Sequence, residues 1–234
     1  MFAEAEHIYR VNADMKFGGK EEQFAEVSAP MAQAILNDIP EVEKATRFRS
    51  IGSVFIKQQG EQNNVREPGV TYADPNVFDM LGLKLLYGDV NSALVEPNTL
   101  VMSKTAAEKH FPIDQALGKT VVLNDHEVYT VTGVIDDLPK NSFLRDRDLF
   151  LAMSGYEDSR LAEWGSHNYY TLIKLLPGTK AENVEDQLQN MVGKYLIPYA
   201  QKFFPGITEE QFIASGNYMH YSTIPLTDIY LHSG

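Results

Sequence analysis

Apolar and polar residues alternate over residues 8–15, the period of a half-buried strand, and Gly18-Gly19 breaks the run. The period then changes. Met31, Ala34, Ile35, Asp38 and Ile39 fall at i, i+3, i+4, i+7 and i+8. That spacing predicts a helix with one apolar face, capped by Ser28, with Pro30 in its first turn and Pro40 as its stop. Residues 45–58 read as a strand with Val54 and Ile56 on one face, closed by a turn at Gly60 and the polar run Glu61-Gln62-Asn63-Asn64.

The character of the chain changes at Pro68-Gly69. Residues 70–73 form a short strand, and Asp74-Pro75 caps a short helix with Phe78 and Leu81 on its apolar side, ended by Gly82. Residues 99–103 read as a strand and Ser103 as the cap of a helix over 104–111, stopped by Pro112. Residues 120–123 and 127–135 flank Asn124-Asp125-His126 as a hairpin, and 149–153 is another short apolar run. Strand pattern resumes over 169–176 and ends at Pro177-Gly178. Thr179 and Glu182 have capping-box spacing. The helix behind them carries Val184, Leu188, Met191, Val192, Tyr195 and Leu196 on one stripe, up to Pro198. Residues 201–219 are aromatic and polar without a period, and a last strand is expected at 224–231. The order is strand–helix–strand, a strand-rich middle, then strand–helix–strand. Two such halves pair into one split α+β sheet with helices on one face, the middle being inserted.

Composition narrows the function. Of 234 residues, 44% are hydrophobic and 11% aromatic, enough for a proper core. No run approaches the roughly 20 apolar residues of a membrane span, and Phe2-Ala3-Glu4-Ala5-Glu6 lacks the basic start and apolar stretch of a signal peptide, so the segment reads as soluble. The net charge of −12, with scattered Lys and Arg, argues against nucleic acid and against an anionic bilayer surface. The absence of cysteine removes disulfides, thiol nucleophiles and thiolate metal sites.

The search for chemistry yields little. Gly118-Lys119-Thr120 resembles the end of a P-loop, but the required earlier glycine is Ile113 and the segment runs into a strand. His7, His110, His126, His167, His220 and His232 never stand at i, i+4 on a helix. Asp136-Asp137 and Asp146 with Asp148 lack the glycine and closing Glu of a calcium loop. Ser53 and Ser154 lack a Gly-x-Ser-x-Gly frame. Trp164 and Tyr169-Tyr170 suit core packing better than a ligand groove. No residue set marks catalysis, a cofactor or a metal, so the expectation is a non-enzymatic domain. No apolar stripe stands out beyond the faces used for the core.

Several segments in order resemble the MacB-like periplasmic core domain of ABC transporter permeases, the group that includes the LolC/LolE- and FtsX-type permeases, in a variant like those of Bacteroidetes. They are Glu6-His7-Ile8-Tyr9-Arg10-Val11; Tyr72-Ala73-Asp74-Pro75-Asn76-Val77-Phe78-Asp79-Met80-Leu81-Gly82 with Gly88-Asp89; Leu100-Val101-Met102-Ser103 with Ala106, Phe111 and Pro112; Gly118-Lys119-Thr120-Val121; Tyr129 through Pro139; and Pro225 through Ser233. The match is poorest over 198–221.

The resemblance implies a split α+β base subdomain, Porter-like, over 1–69 plus 154–234, and a strand-rich Sabre-like subdomain over 70–153. It implies no cofactor and no chemistry of its own. The expected role is to couple ATP-driven motion of the membrane part to substrate export or efflux, or to partner activation, at the periplasmic face of the inner membrane. The partners would be a second permease subunit, a cytoplasmic ATPase reached through the membrane part, and a periplasmic adaptor or lipoprotein. The excised domain is expected to be monomeric, because two −12 copies repel. A free-standing secreted binding domain and a secreted hydrolase are the competing readings, and transmembrane helices flanking the segment separate the transporter from both.

Overall fold

The computed structural model describes residues 5–139 and 142–229. In chain order the elements are β1 (Ile8–Phe17), β2 (Lys20–Phe24), α1 (Met31–Asp38), β3 (Val42–Gln58), β4 (Val65–Ala73), α2 (Val77–Met80), β5 (Leu85–Gly88), β6 (Thr99–Ser103), α3 (Lys104–His110), β7 (Thr120–Leu123), β8 (Glu127–Ile135), β9 (Leu149–Ala152), β10 (Tyr170–Leu175), α4 (Ala181–Met191), α5 (Ile197–Ala200), α6 (Glu209–Ala214) and β11 (Tyr218–Pro225). They form two compact units, one of residues 48–159 and one of residues 5–47 with 160–229, and β3 runs from the second into the first. The Pro68-Gly69 change of pattern falls inside the first unit, at β4.

The unit holding both chain ends is layered. β1 pairs antiparallel with β10 (Ile8↔Lys174 to Val11↔Thr171), with β11 (Tyr9↔Pro225 to Lys16↔Tyr218) and with β2 (Ala13↔Phe24 to Phe17↔Lys20). Val11 and Ala13 are fully buried while Asn12 and Asp14 are half-buried, so one face of the sheet meets α1 and α4. Ile35, Ile173, Val184, Leu188 and Tyr221 fill that layer, each buried aliphatic side chain contributing ~1.5–3 kcal/mol. α4 continues through one π-turn, Val192–Leu196. Pro198 explains it: proline has no N–H for the carbonyl of residue 194, and a widened turn absorbs the missing bond. β11 lies at the sheet edge, and α4 covers part of that edge with side chains. Glu185 Oε1 accepts from Thr223 N (2.6 Å) and Oγ1 (2.8 Å), and Gln189 Nε2 donates to Met219 O (2.8 Å). These groups would otherwise invite a further strand.

The other unit is a ring of strands. β3 pairs β4, β4 pairs β9, β9 pairs β6, β6 pairs β8, β8 pairs β7, and β7 returns to β3, which closes a six-stranded barrel. β5 is added along the second half of β8. On β3, β7 and β8 burial alternates, with Val54, Ile56, Val121, Leu123, Tyr129 and Val131 inside and Phe55 and Val128 outside. β6 and β9 are buried along their whole length, which is why Leu100-Val101-Met102 and Leu149-Phe150-Leu151 read as unbroken apolar runs. Gly69 (φ 65°) is required where it stands, because a Cβ there would collide with the backbone carbonyl of Asp146.

Several local expectations are corrected. Ser28 supplies its backbone carbonyl to Met31 N (3.1 Å) rather than a side-chain cap, and Pro30 is the N-cap. Asn76, not Asp74, is the N-cap of α2. Thr179 and Glu182 form no capping box, since α4 starts at Ala181 without a side-chain cap. The capping box is at α6, between Thr208 and Gln211. The last strand is β11, Tyr218–Pro225, followed by a 3-10 turn at Leu226–Asp228. Residues 230 and 231 of the expected strand, like His232, lie outside the described residues. β2, Lys-Glu-Glu-Gln-Phe, had no alternation to announce it: four of its five residues are exposed.

Candidate functional site

The most concentrated buried charge lies in the barrel. β4 sets Glu67 opposite the inward-facing Val54, and its side chain is fully buried. Two consecutive residues in the last turn of α3 reach it: Lys109 Nζ at 2.7 Å from Oε2 and His110 Nε2 at 3.1 Å from Oε1. Gln58 donates to the His110 carbonyl, closing the helix end. Burial pushes the Glu67 carboxyl up, but the bonds from His110 and Lys109 outweigh it and hold the group below the usual carboxylate range. The triad fastens α3 to β4. Removing one member would leave buried polar groups uncompensated, which is costly. No signal in the sequence marks it, since Glu67 meets partners 42 and 43 positions away.

A second cluster in the same unit is aromatic. The Tyr72 and Tyr129 hydroxyls lie 3.2 Å apart, Tyr72 stacks on Tyr156 at 4.5 Å, and the Arg49 guanidinium sits 5.1 Å from the Tyr156 ring centre. Burial, and next the bond to Tyr72, push the Tyr129 hydroxyl well up, so it stays protonated. Of the carboxylates singled out in the sequence, Asp148 and Asp137 bond residues at the start of α3. Ser103 Oγ accepts from Ala106 N (3.1 Å), capping α3, and donates to Asp148 Oδ1 (3.0 Å). Asp137 accepts from Thr105 N (2.9 Å) and Oγ1 (2.6 Å). Asp136 accepts from Asp137 N (3.0 Å), and Asp146 occupies an exposed positive-φ turn. Gly118-Lys119-Thr120 is a turn entering β7. Ser53 accepts from Arg66 (3.1 Å), and Ser154 donates to the Val95 carbonyl (3.0 Å).

In the layered unit Trp164 stacks on Tyr195 at 4.7 Å and the Tyr199 hydroxyl donates to Glu163 (2.6 Å). Trp164 and Tyr169 are buried and Tyr170 half-buried. The histidines are dispersed. His7 ends the 3-10 turn Ala5–His7 and His110 belongs to the Glu67 triad. His126 lies in the exposed hairpin turn, His167 stacks on Phe24 at 5.0 Å, and His220 meets Gln189 at 3.2 Å. Burial lowers the His167 pKa. Among the described residues no three His, Asp or Glu side chains are grouped to hold a metal. One expectation needs correction: Phe17, Phe203, Phe204 and Ile213 stand in solvent, so an apolar surface exists beyond the core faces. The Phe203-Phe204 pair before Pro205-Gly206 was its visible sign.

The chain thus combines an antiparallel sheet backed by helices with a strand-rich barrel, linked through β3. The model of the MacB-like periplasmic core domain matches residues 1–191; the chain belongs to that family. Among solved structures it is similar to a domain of a protein described as a permease from Porphyromonas gingivalis, at 27% identity and TM-score 0.80, covering 96% of this chain and 92% of that one. It is also similar in fold to the periplasmic region of MacB from Actinobacillus actinomycetemcomitans (16% identity, TM-score 0.61, 97% and 92% covered). A third likeness is to the extracellular domain of the noncanonic ABC-type transporter YknZ from Gram-positive bacteria (12%, TM-score 0.54, 91% and 99% covered). No curated protein matches significantly. No helix among the described residues is long and apolar enough to cross a membrane.

Proposed function

We propose that this chain is the extracytoplasmic domain of an ABC transporter permease, held at the outer face of the inner membrane, where it passes ATP-driven motion of the membrane part to a substrate or partner outside. The family match over residues 1–191 supports the class. The family match is the observation that carries the reading, and among the described residues the turn Ala5–His7 lies beside the turn Leu226–Asp228. A domain inserted between two membrane helices needs its ends together. In this reading the layered unit is the Porter-like base and the barrel the Sabre-like insert. A second permease subunit and a cytoplasmic ATPase complete the machine, an adaptor or lipoprotein meets it outside, and the domain itself carries out no chemistry.

This chain has no cysteine, so a single introduced one gives a direct test against the unsubstituted permease. With Asn63→Cys at the exposed turn before β4, the full-length permease should react with a membrane-impermeant maleimide once the outer membrane is opened. Labelling that appears only after the inner membrane is broken would overturn the reading.

A further inference from the structure

Three segments of the layered unit bring large apolar side chains to one place in solvent. Phe17, at the end of β1, is 46% exposed; Phe203 and Phe204, after α5, are 63% and 50% exposed; Ile213, on α6, is 59% exposed. The Phe17 ring lies 6.1 Å from Phe204 and stacks at 6.4 Å on the buried Phe212, which precedes Ile213 on α6, and the Phe203 ring meets Tyr199 edge-on at 5.4 Å. Gly18 N donates to Asn217 Oδ1 (3.0 Å), which ties the β1–β2 turn to the α6–β11 turn and holds the group in place. Single exposed apolar residues are ordinary on a surface, whereas a fixed aromatic cluster marks a place of contact. Phe203, Phe204 and Ile213 also lie past residue 191, where the family match ends.

Position and charge identify what covers it. The first and last described turns, Ala5–His7 and Leu226–Asp228, lie at the Ile8 end of the ten-residue β1, ~30 Å from Phe17 at 3.3 Å per residue. If the ends lead to the membrane, as the proposed function has it, the cluster faces away from it. The net charge of −12 opposes a second copy and an anionic bilayer alike. Beside Phe17, Lys16 is paired with Glu21 at 2.8 Å.

We propose that Phe17, Phe203, Phe204 and Ile213 form a docking surface for an apolar segment flanked by basic residues on a separate protein outside the membrane. Only the direction in which the surface points rests on the permease reading.

The test has two arms. In cells, the full-length permease carries Phe203→p-benzoylphenylalanine. Irradiation should give an adduct with a different protein whose cross-linked peptide, read by mass spectrometry, is apolar with Lys or Arg on its flanks. Adducts with another copy or with lipid only, or none, overturn the proposal. In solution, the 234-residue chain is titrated with an amphipathic Leu/Lys helical peptide and with its Leu/Glu counterpart. F203S/F204S should weaken Leu/Lys binding by about tenfold with an unchanged melting curve, and the Leu/Glu peptide should bind neither form. Equal binding by both forms would mean attraction by net charge alone and would sink the idea. Ile213→Ser serves as the second variant if F203S/F204S melts early. The solution arm stands whether or not Asn63→Cys labels from outside, so failure of the two readings can be told apart.

Discussion

The barrel and the layered unit solve the same problem in opposite ways. Six strands in the barrel satisfy one another around a ring, and the strongest polar arrangement, Glu67 with Lys109 and His110, is turned inward. In the layered unit the sheet keeps an edge at β11, covered in part by Glu185 and Gln189, and phenylalanines are left in water where β1 ends. A closed sheet has few unpaired backbone groups to manage and can spend its side chains on its own core. An open one must shield its edge, and it has places left over at which to meet other molecules. The barrel should therefore respond to substitution mainly in stability, and the exposed end of the layered unit mainly in binding.

The sharpest way to break that contrast is at the barrel wall. Phe150 is fully buried on β9 and meets Phe78 edge-on at 5.2 Å. Phe150→Ala should cost about 3–5 kcal/mol in urea unfolding followed by far-UV circular dichroism. Trp164, the one tryptophan, reports only on the layered unit, and its fluorescence midpoint should move less than the dichroism midpoint. Coincident shifts of equal size would show that the units do not differ in this way.

Glu67→Ala should cost somewhat less, about 2–3 kcal/mol. Breaking a buried pair typically costs about 3–5 kcal/mol, but the Lys109 side chain is 41% exposed and regains water. The pH dependence has a definite sign. Because folding lowers the Glu67 pKa, the unfolded chain takes up the proton first. The stabilisation is complete above the ordinary carboxylate range and is lost as pH falls through the folded value. Glu67→Gln should flatten the acid limb of a stability–pH curve, and an unchanged limb would assign acid sensitivity elsewhere.

Ser103→Ala should have the smallest effect, about 1 kcal/mol, as a lost helix cap. The same serine holds Asp148, so a cost far above a cap's would show that the Asp148 contact matters more than the cap.

The local signals that were legible in the sequence are those in which a residue acts on its near neighbours. Ser103 caps α3 through Ala106 N, three positions on. The hairpin around Asn124-Asp125-His126 pairs Leu123 with Glu127, and Asn124 and Asp125 take the positive φ the turn demands. The two strand–helix–strand halves were expected to share one sheet, and in it residues 8–11 pair directly with 171–174. What stayed hidden depends on distant partners. The barrel closes because Ile56 meets Leu123 on one side and Val65 on the other, a coincidence no periodicity encodes. Glu67 looks like any strand-edge carboxylate until α3 arrives over it. α6 is six residues long and shows no stripe, being fixed by its capping box and by Phe212 against Phe17. The family was recognisable from ordered short motifs, while the segment that departs most from them, 198–221, holds most of the exposed aromatic cluster.

A domain that passes on ATP-driven motion must itself move when ATP is consumed on the other side of the membrane. The most direct measurement places a nitroxide on Asn63→Cys in both permease subunits of the full transporter, reconstituted with its ATPase, and records the pulsed dipolar distance between the two labels. Two different distance distributions are expected without nucleotide and with ATP plus vanadate, with the shift reversed when nucleotide is removed. Identical distributions in a transporter shown to hydrolyse ATP would contradict it.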